Sequence, residues 1–289
     1  MEVVDLHLHS TASDGEATPS EVVRRAADAG VDAIALTDHD TVAGVAEATA
    51  TGAALGVRVV AGCEFSVKVW WGELHLLGYF LPADDAELNG FLTTQLDGRV
   101  TRAREIVQRL GRLGAPVSME AVRRQAQGVS IGRPHVARAL VEAAFVGSMN
   151  EAFDRYLADD GPAFVPKALP KLEAVTDLVR RLGGVTSAAH LKERSTKKTL
   201  TRLREAGVDG VEVLHPAHDD DTVIRLDECS TALGLLKSGG SDWHGEGNAN
   251  DTRRRIGGLR VPDVWFDALE GLHRERLAAA ADGSSNRGG

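Results

Sequence analysis

The chain reads as an α/β protein, a distorted seven-stranded (β/α) barrel with a small helical insertion over the C-terminal ends of its strands. Three observations predict this. A unit of helix, small residue plus glycine, then a short β-rich apolar run recurs along the sequence, and such alternation implies a parallel sheet. Most of the apolar runs end in clusters of His, Asp or Glu, at the strand ends where (β/α) barrels build active sites. The recurrence is interrupted once, from about Pro82 to Pro166, by stretches with helical periodicity alone. An open doubly wound sheet is the alternative, but its ligand crevice lies at one switch point and would not gather side chains from so many strands equally.

The first strand and its turn occupy Val3 to Gly15, VVDLHLHSTASDG. Side chains alternate across a strand, so Asp5, His7 and His9 share one face while Val4, Leu6 and Leu8 share the other. Pro19-Ser20-Glu21 opens a helix through Ala29, Gly30 stops it, and Val31 to Leu36 is a strand ending in Thr37-Asp38-His39-Asp40. Ala43 to Leu55 and Gly56 lead to the strand Val57 to Ala61, ending at Gly62-Cys63-Glu64. The strand Glu73 to Phe80 carries His75. Within the interruption, helices are expected over Leu88 to Leu113, Ser118 to Gln127, Pro134 to Ala144 and Asn150 to Leu157, closed by Gly161 to Pro166. The repeat then resumes. Leu172 to Leu182 leads to Val185 to Ala189 and His190; Leu200 to Ala206 leads to Val211 to Leu214 and His215-Pro216-Ala217-His218. Finally Thr222 to Leu233 leads to Leu235 to Lys237, ending at Gly239-Gly240-Ser241-Asp242-Trp243-His244.

The expected organisation is therefore a discontinuous barrel, 1–81 and 167–281, a helical insertion, 82–166, and a disordered tail, 282–289. With 289 residues and 43% hydrophobic content the chain can bury a large core. A net charge of −9 gives no overall pull towards nucleic acid or anionic membrane, so an anionic substrate must be attracted locally. Two cysteines, Cys63 and Cys229, make no disulfide framework and suit a reducing compartment, with cytoplasm as the expected location. No stretch reaches the roughly 18 apolar residues of a spanning helix.

His7, His9, Asp14, His39, Glu64, His75, His190, Asp242 and His244 all fall at or near predicted strand ends. A thiol-free set of imidazoles and carboxylates suits manganese, zinc or iron and argues against a structural zinc cluster. Nine candidates exceed the four to six positions of one ion, so two or three divalent ions are expected, with Glu64 bridging. Asp5, a step deeper on the same strand face, reads as support for a ligand. Arg133 and His135, in Gly132-Arg133-Pro134-His135 at a helix N-terminus, could hold phosphate. Lys167 and His218 could face the same pocket.

HLHSTASDG, ALTDHDTVAG, the Glu64 turn, HLLGYF, GRPH, VEVLHPAH and SGGSDWHG resemble the motifs of the PHP (polymerase and histidinol phosphatase) superfamily. More closely, they resemble its stand-alone phosphoesterases acting on nucleotides, and the likeness runs from Val3 to about Gly245. It implies a distorted (β/α)7 TIM-like barrel, a two- or three-metal site with the nine ligands named above, and Arg133, His135 and His218 near substrate phosphate. The expected reaction is hydrolysis of a nucleotide phosphomonoester, such as the 3'-phosphate of a nucleoside 3',5'-bisphosphate, by a metal-bridging hydroxide. Asp14, Arg133 and His218 are the expected catalytic side chains, His218 as leaving-group acid. The alternatives are a histidinol-phosphate-type phosphatase, a 5'-3' exonuclease on short RNA, and a non-catalytic metal-binding accessory module. No obligatory protein partner and no membrane contact are expected.

Overall fold

A computed structural model describes residues 3–126, 130–246 and 251–285. Seven strands stand in sequence order in one sheet: β1 (Val4–Leu8), β2 (Ala33–Leu36), β3 (Arg58–Val69), β4 (Gly72–Tyr79), β5 (Val185–Ala188), β6 (Gly210–Leu214) and β7 (Leu236–Gly239). Helices α1 (Pro19–Asp28) and α2 (Val45–Leu55) alternate with the first strands. The expected repeat begins with strong local signals. Thr18 and Glu21 reciprocally cap α1 behind Pro19, and Gly30 and Gly56, at φ 70° and 74°, follow α1 and end α2 in the left-handed region that glycine tolerates.

The expectation of a parallel sheet needs one correction. β1, β2 and β3 are parallel, as are β5, β6 and β7, but β4 runs antiparallel to both its neighbours. Only Trp70 and Trp71 separate β3 from β4. A connection that short makes a hairpin, whereas a parallel return needs a crossover of a dozen or more residues. β3 also runs past Ala61 to Val69, so Glu64 lies inside a strand and not beyond its end. The reversal puts His75 near the start of β4, and that start lies at the same end of the sheet as the C-terminal ends of the parallel strands.

The two outer strands of the sheet approach each other. Leu8 and Trp243 form a parallel bridge, and the His9 N–H donates to the Trp243 carbonyl at 3.0 Å. Gly240 lies so close to β1 that an added Cβ would stand 2.4 Å from the His7 nitrogen. A continuous β1–β7 ladder is absent among the described residues.

The insertion comprises α3 (Ala86–Arg112), α4 (Met119–Gln125), α5 (Arg133–Glu142) and α6 (Met149–Ala152), the last followed by a π-type turn over Phe153–Leu157. Gln127, the expected end of the second helix, lies outside the described residues. Leu88 and Leu92 of α3 pack on the barrel core, while Ile106 and Leu110 join Val122, Val136, Leu140 and Leu157 in a separate apolar cluster. Arg102 and Arg109 of α3 hold the returning segment by donating to the Val165 and Phe164 carbonyls. α7 (Leu172–Arg181), α8 (Lys197–Glu205) and α9 (Asp220–Leu233) complete the repeat. α10 (Asp263–Ser285) follows, so the expected disordered tail begins inside a helix, and 286–289 lie outside the described residues. Among the described residues no helix is long and apolar enough to cross a membrane. Both cysteines are free.

Candidate metal centre

The side chain of Glu64 organises the site. It is buried, 1% exposed, and its two oxygens face five imidazoles. Oε1 lies 2.8 Å from His75 and 3.0 Å from His190; Oε2 lies 3.2 Å from His7, 3.1 Å from His9 and 3.3 Å from His39. Asp242 supplies a second carboxylate from the loop after β7, 3.3 Å from both His7 and His9. Asp14 returns from the turn after β1 to within 3.3 Å of His244 and 3.9 Å of His39. All nine residues named from the sequence are thus brought together. The backbone is strained where the loops deliver them: His190 and Asp242 stand at φ 28° and 50°, in a region that side chains other than glycine rarely occupy.

Donor atoms converge here in overlapping groups, each compact enough to surround an ion. His7, His9, Glu64 and Asp242 form one, His9, Asp14, His39 and His244 another, and His39, Glu64 and His75 a third, with the atoms of each within 4.8 Å of one another. Both ring nitrogens of His9, and Nδ1 of His39 and His75, are buried without an aligned hydrogen bond. Buried polar atoms in proteins are almost always partnered. Several nitrogens close to carboxylate oxygens yet misaligned for hydrogen bonding fit atoms that point at a common ion.

Charge is finely balanced in the cluster. Burial disfavours a charged His7, but Glu212, Asp242 and Glu64 outweigh it and its pKa stands well above the usual value. Against the same burial penalty, carboxylates push His9 up to about 10 and His75 up to about 9. At His39 burial prevails, and its pKa lies well below the usual value despite Glu64 and Asp14. Burial alone would raise the Glu64 and Asp242 carboxyls, yet the surrounding imidazoles hold both well below the usual range.

Two supporting carboxylates complete the arrangement. Asp5 accepts from the Ser241 and Gly257 backbone at 2.9 Å each and from the His7 N–H at 3.4 Å, so it anchors the segment leading to Asp242. Glu212, on β6, was not singled out in the sequence. Its Oε1 lies 2.8 Å from His7 Nδ1, and its Oε2 accepts the His190 N–H at 2.7 Å. A charged residue inside the apolar run Val211-Glu212-Val213 was the available signal. His215 also approaches, 3.3 Å from Asp242 Oδ2.

Beside the cluster opens a cleft of about 970 Å³. Arg133 and Lys167, both named from the sequence, line it, as do Arg99, Arg102, Lys192 and Arg194. Arg99 is pinned by buried Asp40 at 2.7 Å, and Lys167 by Glu73 and by Ser66 Oγ at 3.1 Å. Arg133 donates from Nη1 to the Leu157 carbonyl at 2.9 Å, and its carboxylate partner is Asp159, 2.6 Å away but 82% exposed. The other two expected substrate contacts are placed differently. His135 is buried, and its Nδ1 accepts the Gly132 N–H at 2.9 Å, closing the start of α5; burial lowers its pKa to about 4. His218 is 2% exposed, donating from Nδ1 to the Val213 carbonyl at 3.0 Å and accepting at Nε2 from the Lys192 N–H at 3.3 Å. Neither lines the cleft. His218 is thus a loop anchor whose ring proton is already engaged, which removes the ground for placing it as leaving-group acid.

Residues 5–155 match the PHP domain family. A 5'-3' exoribonuclease from Haemophilus influenzae is 33% identical over 246 residues, which span 83% of this chain and 89% of that protein. A 3',5'-nucleoside bisphosphate phosphatase from Chromobacterium violaceum is 33% identical over 252 residues, spanning 84% and 88%. The solved structure of an inferred metal-dependent phosphoesterase from Bifidobacterium adolescentis superposes with a TM-score of 0.85 at 28% identity, over 94% of this chain and 96% of that one. With a thiol-free imidazole–carboxylate cluster at the expected end of its sheet, the chain belongs to the PHP domain family and is a metal-dependent phosphoesterase, a hydrolase of phosphoric esters.

Proposed function

We propose that the chain removes a terminal phosphate from a nucleotide that bears a second phosphate, such as the 3'-phosphate of a nucleoside 3',5'-bisphosphate. The observation that carries this reading is the concentration of cations in one cleft beside the carboxylate–imidazole cluster, in a chain whose net charge is −9. One phosphate needs a cluster of ions; a row of further guanidinium and ammonium groups suits a second. Phe153 and Phe164 line the same cleft, with the Arg133 guanidinium 5.8 Å and 5.6 Å from their ring centres, so a base there would meet aromatic surface beside a cation.

His7, His9, Glu64 and Asp242 would hold one ion, Glu64 with His75 and His190 a second, and Asp14, His39 and His244 a third. Two or three manganese, zinc or iron ions there would supply Lewis acidity to the phosphoryl oxygens and lower the pKa of water from 15.7 towards roughly 7. The protein's own residues do the rest. Glu212 would fix the His7 ring by accepting its Nδ1 proton, leaving Nε2 aimed into the cluster. Arg133 would exchange its exposed partner Asp159 for a phosphate oxygen, at little cost because surface ion pairs are worth only about 0–1 kcal/mol. Arg99 and Lys167, locked by Asp40 and Glu73, would present fixed positive charge to the developing negative charge.

Manganese-loaded protein offered adenosine 3',5'-bisphosphate and histidinol phosphate tests the reading. The expected result is phosphate release from the bisphosphate, a 5'-phosphorylated nucleoside as product, and loss of at least about a thousandfold in rate with His7→Ala or Asp242→Ala. Full activity with stoichiometric metal in either variant sinks the assignment, and preference for histidinol phosphate sinks the substrate.

A further inference from the structure

The two-residue link between β3 and β4 stands at the rim of the cleft and carries two tryptophans. Trp71 lines the cleft, its Nε1–H donating to the Glu73 carbonyl at 3.0 Å, which fixes the ring next to the Glu73–Lys167 pair. Trp70 lies outside, its ring 4.5 Å from that of Trp71 and nearly perpendicular to it. Trp70 is 43% exposed, and it is the only aromatic among the large apolar side chains left exposed among the described residues.

Each indole meets a guanidinium. Arg194, in the turn after β5 and itself lining the cleft, stands 5.7 Å from the Trp71 ring centre. Arg202, exposed on α8, stands 3.7 Å from that of Trp70. Lys68 and Lys192 flank the same rim. A pair of indoles serving only to brace the hairpin would be expected to bury both rings, since that is where their large apolar area stabilises. Here one ring keeps much of its surface in water, with a cation beside it. π-faces interleaved with cations along a groove are what proteins present to single-stranded nucleic acid, the rings stacking bases and the cations following phosphates.

We infer that Trp71, Arg194, Trp70 and Arg202 form a track that leads the chain of a short single-stranded oligoribonucleotide out of the cleft, with its terminal phosphoester inside. The inference rests on the phosphoesterase reading of the cleft and adds to it a residue-level determinant of substrate length. A mononucleotide fills the cleft and stops short of Trp70. A longer chain reaches Trp70 and Arg202 and gains from both.

The test uses the metal-loaded full chain and fluorescently labelled oligoribonucleotides of two, four and six residues with a hydrolysis-resistant phosphorothioate backbone, read by anisotropy. Affinity is expected to rise with length. Trp70→Ala and Arg202→Gln are each expected to lose about tenfold on the six-residue probe, roughly one base stack, with Trp70→Phe recovering most of the loss. Turnover of adenosine 3',5'-bisphosphate by these variants should stay within about twofold of the parent, because neither residue lines the cleft. Equal affinity at all lengths, or undiminished binding by Arg202→Gln, whose side chain lies on a helix surface, overturns the track and leaves the indoles as a brace. Absence of bisphosphate turnover with length-dependent binding intact would instead sink the phosphatase assignment and support the track.

Discussion

Glu212 shows how much a buried side chain can matter without touching substrate. It accepts from the His7 ring with one oxygen and from the His190 backbone with the other. A glutamine can accept only one of these protons, and its amide would face the other as a second donor. Glu212→Gln is therefore expected to weaken metal binding about 10- to 100-fold, measured by competition with a chelator; unchanged affinity would mean that the ligand positions do not depend on it. The imidazoles make a second prediction. In the metal-free protein, carboxylates hold His9 at about 10 and His75 at about 9, so both are protonated at pH 7.5, while His39, its pKa depressed mainly by burial, is neutral. Metal must displace these protons and that of His7, whose carboxylate neighbours also hold it well above the usual value. Calorimetry in buffers of different ionisation enthalpy should find more than about two protons released at pH 7.5, with release falling and affinity rising as pH passes 9 and then 10. The stabilisation that the raised pKa values of His9 and His75 give the metal-free fold has the matching sign: present in full below about 6.5, the unfolded value, and lost through that upper window. Proton release that does not change with pH would contradict the balance.

At the scale of elements, the sequence was most legible where a local rule has one solution. The His7–His9 alternation at the end of β1, the Thr18–Glu21 cap and the glycine that ends α2 follow from strand period, capping chemistry and left-handed backbone. β4 was legible as a strand but not in direction, because direction depends on what connects it, and the decisive signal was a missing helix between Glu64 and Glu73. Glu64 itself was expected at the end of a strand and lies inside one, since β3 continues into the hairpin beyond the polar residue. His135 and His218 mark the limit of motif reading. Both lie in motifs read as phosphate sites, yet Nδ1 of His135 and both ring nitrogens of His218 are engaged with backbone. A histidine's residue type says that it can bind phosphate, while only tertiary placement says whether its nitrogens are free to do so.

For the whole molecule, the question is how an acidic protein captures an acidic substrate. Adding the four or six positive charges of two or three divalent ions to −9 leaves −5 or −3, so long-range repulsion persists in the loaded enzyme. The cleft opposes it at short range, with Arg99, Arg133, Lys167 and Arg194 on walls of low polarisability that focus their field. Salt separates the two contributions. At about 0.01 M ionic strength the screening length is roughly 30 Å and the substrate senses the whole chain; at about 0.15 M it is roughly 8 Å and only the cleft is felt. Contact charges interact as the inverse of distance, and cations outnumber the acids Asp14, Glu73 and Asp159 on the cleft lining, so a phosphate there would meet a local excess of positive charge. The cleft should therefore dominate, and kcat/KM for adenosine 3',5'-bisphosphate should fall several-fold between those two ionic strengths, mostly through KM. Arg133→Ala, which removes a wall charge without touching the metal ligands, should both raise KM and flatten that slope. A kcat/KM that rises with salt would show that the net negative charge governs the encounter and that the cleft cations act only after the substrate has arrived.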